Sequence, residues 1–335
     1  ALDYNDTITY EGETYTANSP EARTAQSPWV WFPAYTFKAG ANHNINRYHN
    51  VFFNTGYLTI APFFRNVFNF DNQKFLETEL QRVTSAEVGY GARYPNWALN
   101  VNGYVTRWEN RPPEGLPSIF IDGERFNYNI NGMDARHMGI EFDGNVTLVQ
   151  QRRGIHKLAL DGFVSLGDWV YTSGGDDSTE YEEVFIEDDA GRIVDSVEFS
   201  AVGVKVGDAA QTTFGYGLRW EPVKGLFIKW RQQFFYNHWA NFDPLALRPE
   251  SNNANRQSWK IPGYNLVHLF AGYTWNIPGK REDSEYQLRF NAGIINLFDS
   301  FYISDATNGA RFDAATSQVF IGQGRRWNAS VEFTF

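Results

Sequence analysis

Apolar and polar residues alternate with a period of two in segment after segment of this chain. At the C-terminus Trp327, Ala329, Val331, Phe333 and Phe335 interleave with Asn328, Ser330, Glu332 and Thr334. Successive side chains of a β-strand point to opposite faces, so this segment predicts a strand with one apolar and one polar face. About eleven segments read this way, near residues 33–43, 50–60, 79–92, 97–108, 133–149, 156–172, 209–220, 226–237, 261–276, 285–296 and 322–335. In the fifth, Met138, Ile140, Phe142, Val146 and Leu148 oppose His137, Gly139, Glu141, Asp143, Asn145 and Thr147. In the sixth, Leu158, Leu160, Val164 and Leu166 oppose Lys157, Ala159, Asp161 and Ser165. In the ninth, Val267, Leu269, Ala271, Tyr273 and Trp275 oppose His268, Gly272 and Thr274, and in the tenth Leu288, Phe290, Ala292 and Ile294 oppose Gln287, Arg289 and Asn291.

The gaps between segments are alternately short and long. Tight connections fall at 44–49, 93–96, 150–155, 221–225 and 277–284, several marked by Pro or Gly. The others run from about eighteen to about thirty-six residues, which is uncommon for structureless loops inside a compact soluble domain. Short turns at one end and long loops at the other are the asymmetry of a transmembrane antiparallel β-barrel of the outer-membrane type. The expected fold is therefore all-β, with residues 33–335 in the barrel and residues 1–32, polar and rich in Thr, Ser and Glu, in an outer loop segment.

Parity adds a further expectation. If the last strand descends to a periplasmic Phe335, the first of eleven also descends, whereas single-chain bacterial barrels have an even number of strands. The expectation is a C-terminal piece of something larger, whose first strand, near Ala34 to Ala41, pairs with a preceding segment or a partner chain. An unpaired edge in hydrocarbon would cost several kcal/mol for each exposed backbone group, on the order of a lost buried hydrogen bond.

Composition sharpens this picture. Aromatic residues make up 17% of the 335 residues, with 11 Trp, 18 Tyr and 28 Phe, in a chain whose mean hydropathy is only -0.46. A membrane barrel needs that combination, because only alternate residues face lipid and aromatic girdles sit at both interfaces. No run approaches the roughly 18 apolar residues of a spanning helix. A net charge of -10 with no Lys/Arg stripe argues against nucleic acid, and the absence of cysteine excludes disulfides, thiolate metal sites and cysteine nucleophiles. The opening Ala1-Leu2-Asp3-Tyr4 shows no secretory signal.

From Leu288 onward the sequence resembles the closing segment of TonB-dependent outer-membrane receptors. The resemblance centres on Asn296-Leu297-Phe298-Asp299 followed by Phe301-Tyr302, and on the aromatic ending through Trp327, Ala329, Val331, Phe333 and Phe335. Asn54-Thr55-Gly56-Tyr57-Leu58 and Asp134 through Glu141 are similar to the family's Bacteroidota style. The resemblance implies a 22-stranded barrel, of which about eleven C-terminal strands lie here, with the plug and TonB-contacting segment absent from this chain. It further implies import of a scarce nutrient such as a ferric siderophore, cobalamin or an oligosaccharide. The implied partners are outer-membrane lipid and lipopolysaccharide, the remaining N-terminal barrel and plug or a second chain, TonB through that missing part, and the barrel-assembly machinery of a Gram-negative bacterium. Two other functions fit the pattern: a non-transporting barrel that scaffolds a surface complex, and a soluble all-β carbohydrate-binding protein.

Candidate chemistry is sparse. His43, His49, His137, His156, His238 and His268 are scattered without metal-ligand spacing and read as lumen-facing, and no catalytic residue, metal or cofactor is expected. The acidic stretch from Asp176 to Asp189 reads as a solvated loop, with Asp188-Asp189-Ala190-Gly191 turning a hairpin. Phe63, Phe64, Trp108, Trp239 and Phe242 at outer strand ends or in outer loops could stack on a ligand, but anchoring at the interface or packing the loops together is the favoured reading. Asn100, Asn102, Arg231, Gln233, Gln287, Arg289, Asn291 and Glu332 are expected to face the lumen.

Overall fold

The computed structural model describes residues 7–10, 12–16, 19, 27–68, 72, 74–75, 78–111, 118–121, 124–127, 132–150, 157–173, 181–187, 192–254, 256–278 and 285–334. Its main feature is an eleven-stranded sheet. The strands are β1 (Thr36–Asn44), β2 (His49–Ile60), β3 (Gln81–Arg93), β4 (Trp97–Arg111), β5 (Met133–Gln150), β6 (Lys157–Tyr171), β7 (Thr212–Glu221), β8 (Leu226–Tyr236), β9 (Tyr264–Pro278), β10 (Glu285–Ile295) and β11 (Arg326–Thr334). Each is hydrogen-bonded antiparallel to its predecessor, so spatial order follows chain order from β1 to β11. All eleven expected segments are strands, shifted at their ends by a few residues.

Register holds the two faces apart. One row runs Ala271, Ala292, Ala329 across β9 to β11, flanked by the rows Tyr273, Phe290, Val331 and Leu269, Ile294, Trp327. The alternate rows run Gly272, Asn291, Ser330 and Thr274, Arg289, Glu332. Across β5 to β8, Val146, Leu160, Leu218 and Trp230 share the apolar face, and Asn145, Asp161, Gly217 and Arg231 share the polar one. A slip of one residue would exchange these sets, so the alternation itself fixes the pairing. The apolar side chains do not meet a core: Phe290, Val331, Trp275, Leu166 and Val88 are all exposed.

The edges β1 and β11 are not paired to each other, and every residue of both is exposed. Because all neighbours are antiparallel, the first and eleventh strands run the same way. Closing the sheet on itself would require a parallel pair.

Short links join the strands at one end. Asn46 Oδ1 accepts the backbone amides of Tyr48 (2.8 Å) and His49 (3.1 Å), turning the chain between β1 and β2. Tyr94 N donates to Trp97 O (2.8 Å) between β3 and β4, and Gly225, at φ 87°, turns between β7 and β8 in a conformation that L side chains resist. The expected turns at 150–155 and 277–284 fall largely outside the described residues.

The long links are not structureless. They carry hairpins Ser118–Ile121 with Glu124–Asn127, Glu182–Glu187 with Ile193–Phe199, His238–Trp239 with Lys260–Ile261, and Ile303–Thr307 with Gln318–Ile321, besides a helical turn Phe64–Val67 and a 3₁₀ turn Pro244–Leu247. Most of the buried apolar residues sit here. Val184, Ile186, Phe199, Ala201, Val204, Val206, Leu245, Leu247 and Phe312 form one cluster with Met133, Ala135 and Tyr171 at the strand ends. The core is therefore a cap at the long-loop end of the sheet. The expected solvated acidic loop is corrected in part: Val184 and Ile186 alternate inward and draw Glu182 to a half-buried position, while 174–180 and the turn 188–191 lie outside the described residues.

Candidate functional site

The polar face carries a continuous hydrogen-bonded strip. Asn54 Nδ2 donates to Glu87 Oε2 (3.2 Å), and Asn102 Nδ2 bridges Glu87 Oε1 (3.0 Å) and Glu141 Oε2 (3.2 Å). Ser165 Oγ donates to Glu141 Oε1 (3.1 Å), and Asn100 Nδ2 donates to Asp143 Oδ2 (2.9 Å). This strip borders a depression of about 620 Å³ lined by Lys38, Asn54, Glu87, Asn102, Tyr104 and Glu141. Further along, Lys229 Nζ pairs with Asp161 at 3.2 Å. Gly217 lies between them, and a Cβ there would stand 2.7 Å from the Asp161 carboxylate, so glycine leaves room for the ion pair to cross β7. Arg289 reaches Glu332 (3.0 Å) and Gln287 (2.8 Å) at the far edge.

The register places all eight polar residues expected on one face together: Asn100, Asn102, Arg231, Gln233, Gln287, Arg289, Asn291 and Glu332. The histidines divide. His137 and His268 share that face. His43 and His49 do not, because their register partners Val51 and Ala92 put them on the apolar face, which corrects their reading as lumen-facing. His49 bridges the hydroxyls of Tyr90 (2.5 Å) and Tyr94 (2.9 Å) within a belt that includes Tyr48 and Trp97. Such a belt at the tight-turn end has the composition of an interfacial girdle. His238 is buried in the cap near Asp305, and burial holds its ring below the ordinary histidine range. His156 lies outside the described residues.

Where the polar face meets the cap, four rings gather at the outer ends of β4, β5 and β6. His137 stacks on Trp169 (5.2 Å), Trp108 tilts against His137 (6.1 Å), and Trp169 Nε1 donates to the Tyr104 hydroxyl (2.9 Å). The indole nitrogen of Trp108 and Nε2 of His137 are buried with no hydrogen-bond partner among the described residues. Sequence reading found Trp108 but not this cluster. Its signal was that Tyr104, Trp108, His137 and Trp169 all sit at polar positions, and only register brings them side by side.

The five outer aromatics have different fates. Phe242 packs on Tyr171 and Phe312, and Trp108 packs against the cap core, so both are engaged in protein packing. Lys260 lies over the Trp239 ring at 5.5 Å. Phe63 and Phe64 remain exposed.

The Asn296-Leu297-Phe298-Asp299 motif has a physical reading. Asn296 is buried at φ 54°; its side chain accepts from Ser300 N (2.9 Å) and donates to Ser300 O (3.0 Å), while its amide donates to His268 Nδ1 (3.2 Å). Asp299, also at positive φ, accepts Arg325 N (2.7 Å). Leu297 N bonds Val267 O (2.7 Å), and Phe298 meets Trp230 edge-on across the apolar face. The motif thus ends β10, ties it to β9 and aligns the return into β11.

No family model matches the sequence, and no curated protein matches it significantly. Solved structures do match in fold. The copper transporter OprC superimposes with a TM-score of 0.57 at 14% identity over 89% of this chain and 39% of its own. The FrpB iron transporter of Neisseria meningitidis gives 0.52 at 14% over 89% and 38%, and the ferric citrate transporter FecA 0.53 at 10% over 89% and 38%. The chain therefore shares the fold of part of the barrels of these structures, and it spans about two-fifths of their length.

Proposed function

We propose that this chain forms the C-terminal wall and outer cap of a TonB-dependent transporter in the outer membrane of a Gram-negative bacterium, of a kind similar to Bacteroidota receptors. The observation that carries the reading is the open eleven-stranded sheet with one mainly apolar and one mainly polar face and two unpaired edges. The apolar face suits lipid, and the polar strip suits a lumen that holds a plug or a solute. The missing strands come from a preceding segment or a partner chain, since open edges do not persist in hydrocarbon. Of the expected outer-loop segment 1–32, we assign residues 7–10, 12–16, 19 and 27–32 to an outer loop; the rest lie outside the described residues.

The cargo is a scarce nutrient held at the outer mouth, such as a ferric siderophore, cobalamin or an oligosaccharide. Phe63, Phe64 and Trp239 are the outer aromatics best placed to meet it, and uptake draws energy through TonB. Barrel-assembly machinery inserts the protein. Growth of a deletion strain on limiting ferric siderophores, cobalamin or oligosaccharides tests this. Loss of growth on one of them, matched by a tonB deletion, is expected; unchanged uptake of all three classes together with carbonate release of the protein from membranes overturns the reading.

A further inference from the structure

Resting on the transport reading above, we propose that Arg231, His268 and Arg326 form a site for an oxyanion, a carboxylate or phosphate group, on the polar face just beneath the cap. Register sets the three in one row. Arg231 on β8 lies opposite His268 on β9. Leu269 pairs with Ile294, so the next step along β9 and β10 puts His268 beside Ile295, whose partner on β11 is Arg326.

The row presents donors. His268 is only 8% exposed, and its Nδ1 accepts the Asn296 amide (3.2 Å). That bond places the ring proton on Nε2, which has no hydrogen-bond partner among the described residues. Arg231 is half-buried and Arg326 exposed, and neither guanidinium makes a hydrogen bond or an ion pair among the described residues. Both of their charges bear on the His268 ring.

The neighbouring carboxylates serve other cations. Asp161 leans across Gly217 to Lys229 (3.2 Å), Glu221 holds Arg219 (2.7 Å) and Glu332 holds Arg289 (3.0 Å). Asp299 accepts the backbone amide of Arg325 (2.7 Å). Setting Lys229 against Asp161 and the Arg325 side chain against Asp299 still leaves the charges of Arg231 and Arg326. Unshared positive charge on a wall that elsewhere pairs its ions marks a place for an anion.

Strands β8 and β11 stand three strand spacings apart, about 14 Å at the backbone. Long guanidinium arms from the two sides converge over His268 and Ile295, where one oxyanion takes a fork from each and the Nε2 proton from between them. The Phe270 ring, 6.4 Å from that of His268 and close over Gly293, offers the carbon body of a solute a surface.

The test is calorimetric titration of the intact detergent-solubilised assembly containing this chain, at low ionic strength where charge interactions are least screened. Glucose 6-phosphate and glucuronate are the probes, glucose is their neutral counterpart, and inorganic phosphate represents the free ion. Wild-type protein is expected to bind both charged sugars and not glucose. Inorganic phosphate binding as tightly as glucose 6-phosphate marks the free ion as the occupant, and weaker binding marks an oxyanion carried on an organic body. Arg231→Gln and Arg326→Gln should each lower affinity about tenfold, and the double variant should give no measurable heat. Arg231→Lys/Arg326→Lys should keep part of the binding. Lys224→Gln, at the tight turn before β8, removes one charge far from the row and should change nothing; an equal loss there would reduce the effect to overall charge and overturn the proposal. Unchanged heat-modifiable mobility on gels shows that each variant retains its barrel. Glucose binding as tight as that of its charged forms, or an unaffected double variant, overturns the proposal too. A wild-type assembly that binds no oxyanion assigns the two arginines to a carboxylate of another segment, which overturns this site and leaves the transport reading standing. Carbonate release of the chain from membranes would instead overturn the reading on which it rests.

Discussion

The wall and the cap of this molecule obey opposite rules. In the wall, Val331, Phe290, Val88 and Leu166 are exposed, and the side chains hydrogen-bonded to one another are polar. In the cap, Phe199, Ile186 and Leu247 are almost wholly buried. The wall therefore leaves one apolar and one polar face open, whereas the cap buries its own apolar surface in the ordinary aqueous way. A single chain can hold both because β4, β5 and β6, at 15, 18 and 15 residues, outrun the 9 to 11 that span a bilayer and carry Met133 and Tyr171 into the cap.

The strongest way to break the comparison is inside the cap. Phe199→Ala removes a fully buried ring from the centre of the cluster and should cost about 3–5 kcal/mol of local stability. If cap and wall are separate cooperative units, limited proteolysis should then cut the 172–211 link faster while heat-modifiable mobility of the barrel stays unchanged. Simultaneous loss of both would show one unit rather than two.

Next in size is a charge on the apolar face. Phe290→Arg or Val331→Arg should cost roughly 2–4 kcal/mol near the bilayer midplane, and Ser330→Arg on the opposite face almost nothing. Assembly yield in outer-membrane fractions distinguishes them, and equal yields would contradict the observed register.

The wall was legible in sequence because period-two alternation is a local signal, and so was the motif that ends β10. Asn296→Ala tests the latter: removing its three side-chain contacts at a positive-φ position should cost about 1–3 kcal/mol, seen as lower heat-modifiable stability. The cap was not legible. Its core gathers Met133, Val184, Phe199, Leu245 and Phe312, which come from four separate stretches of the chain. Likewise His43 and His49 look polar by residue type, and only pairing with Val51 and Ala92 reveals their apolar-side position.

The smallest expected effect concerns pH and again separates cap from wall. Glu182 begins the cap hairpin, and burial first, then the nearby Asp134 carboxylate, push its acid up from 4.5 to about 7, against a hydrogen bond from Ser173. Raised affinity for the proton in the folded state means that protonated Glu182 favours the folded cap. That stabilisation is fully present below about pH 4.5, declines between 4.5 and 7, and is gone above it. Because the side chain is only partly buried, the contribution is on the order of 1 kcal/mol rather than the full value of the shift. Hydrogen exchange of the amides of Val184 and Ile186 should therefore slow as pH falls from 7.5 to 5, after correction for intrinsic rates, with no matching change for β10. Glu182→Gln, which mimics the neutral acid, should abolish that difference while keeping the slow exchange at both pH values. A variant as pH-sensitive as the parent would move the titration to a group in the cap other than His238. Protonation of that ring, whose affinity for the proton burial lowers, would destabilise the cap toward acid pH, the opposite direction.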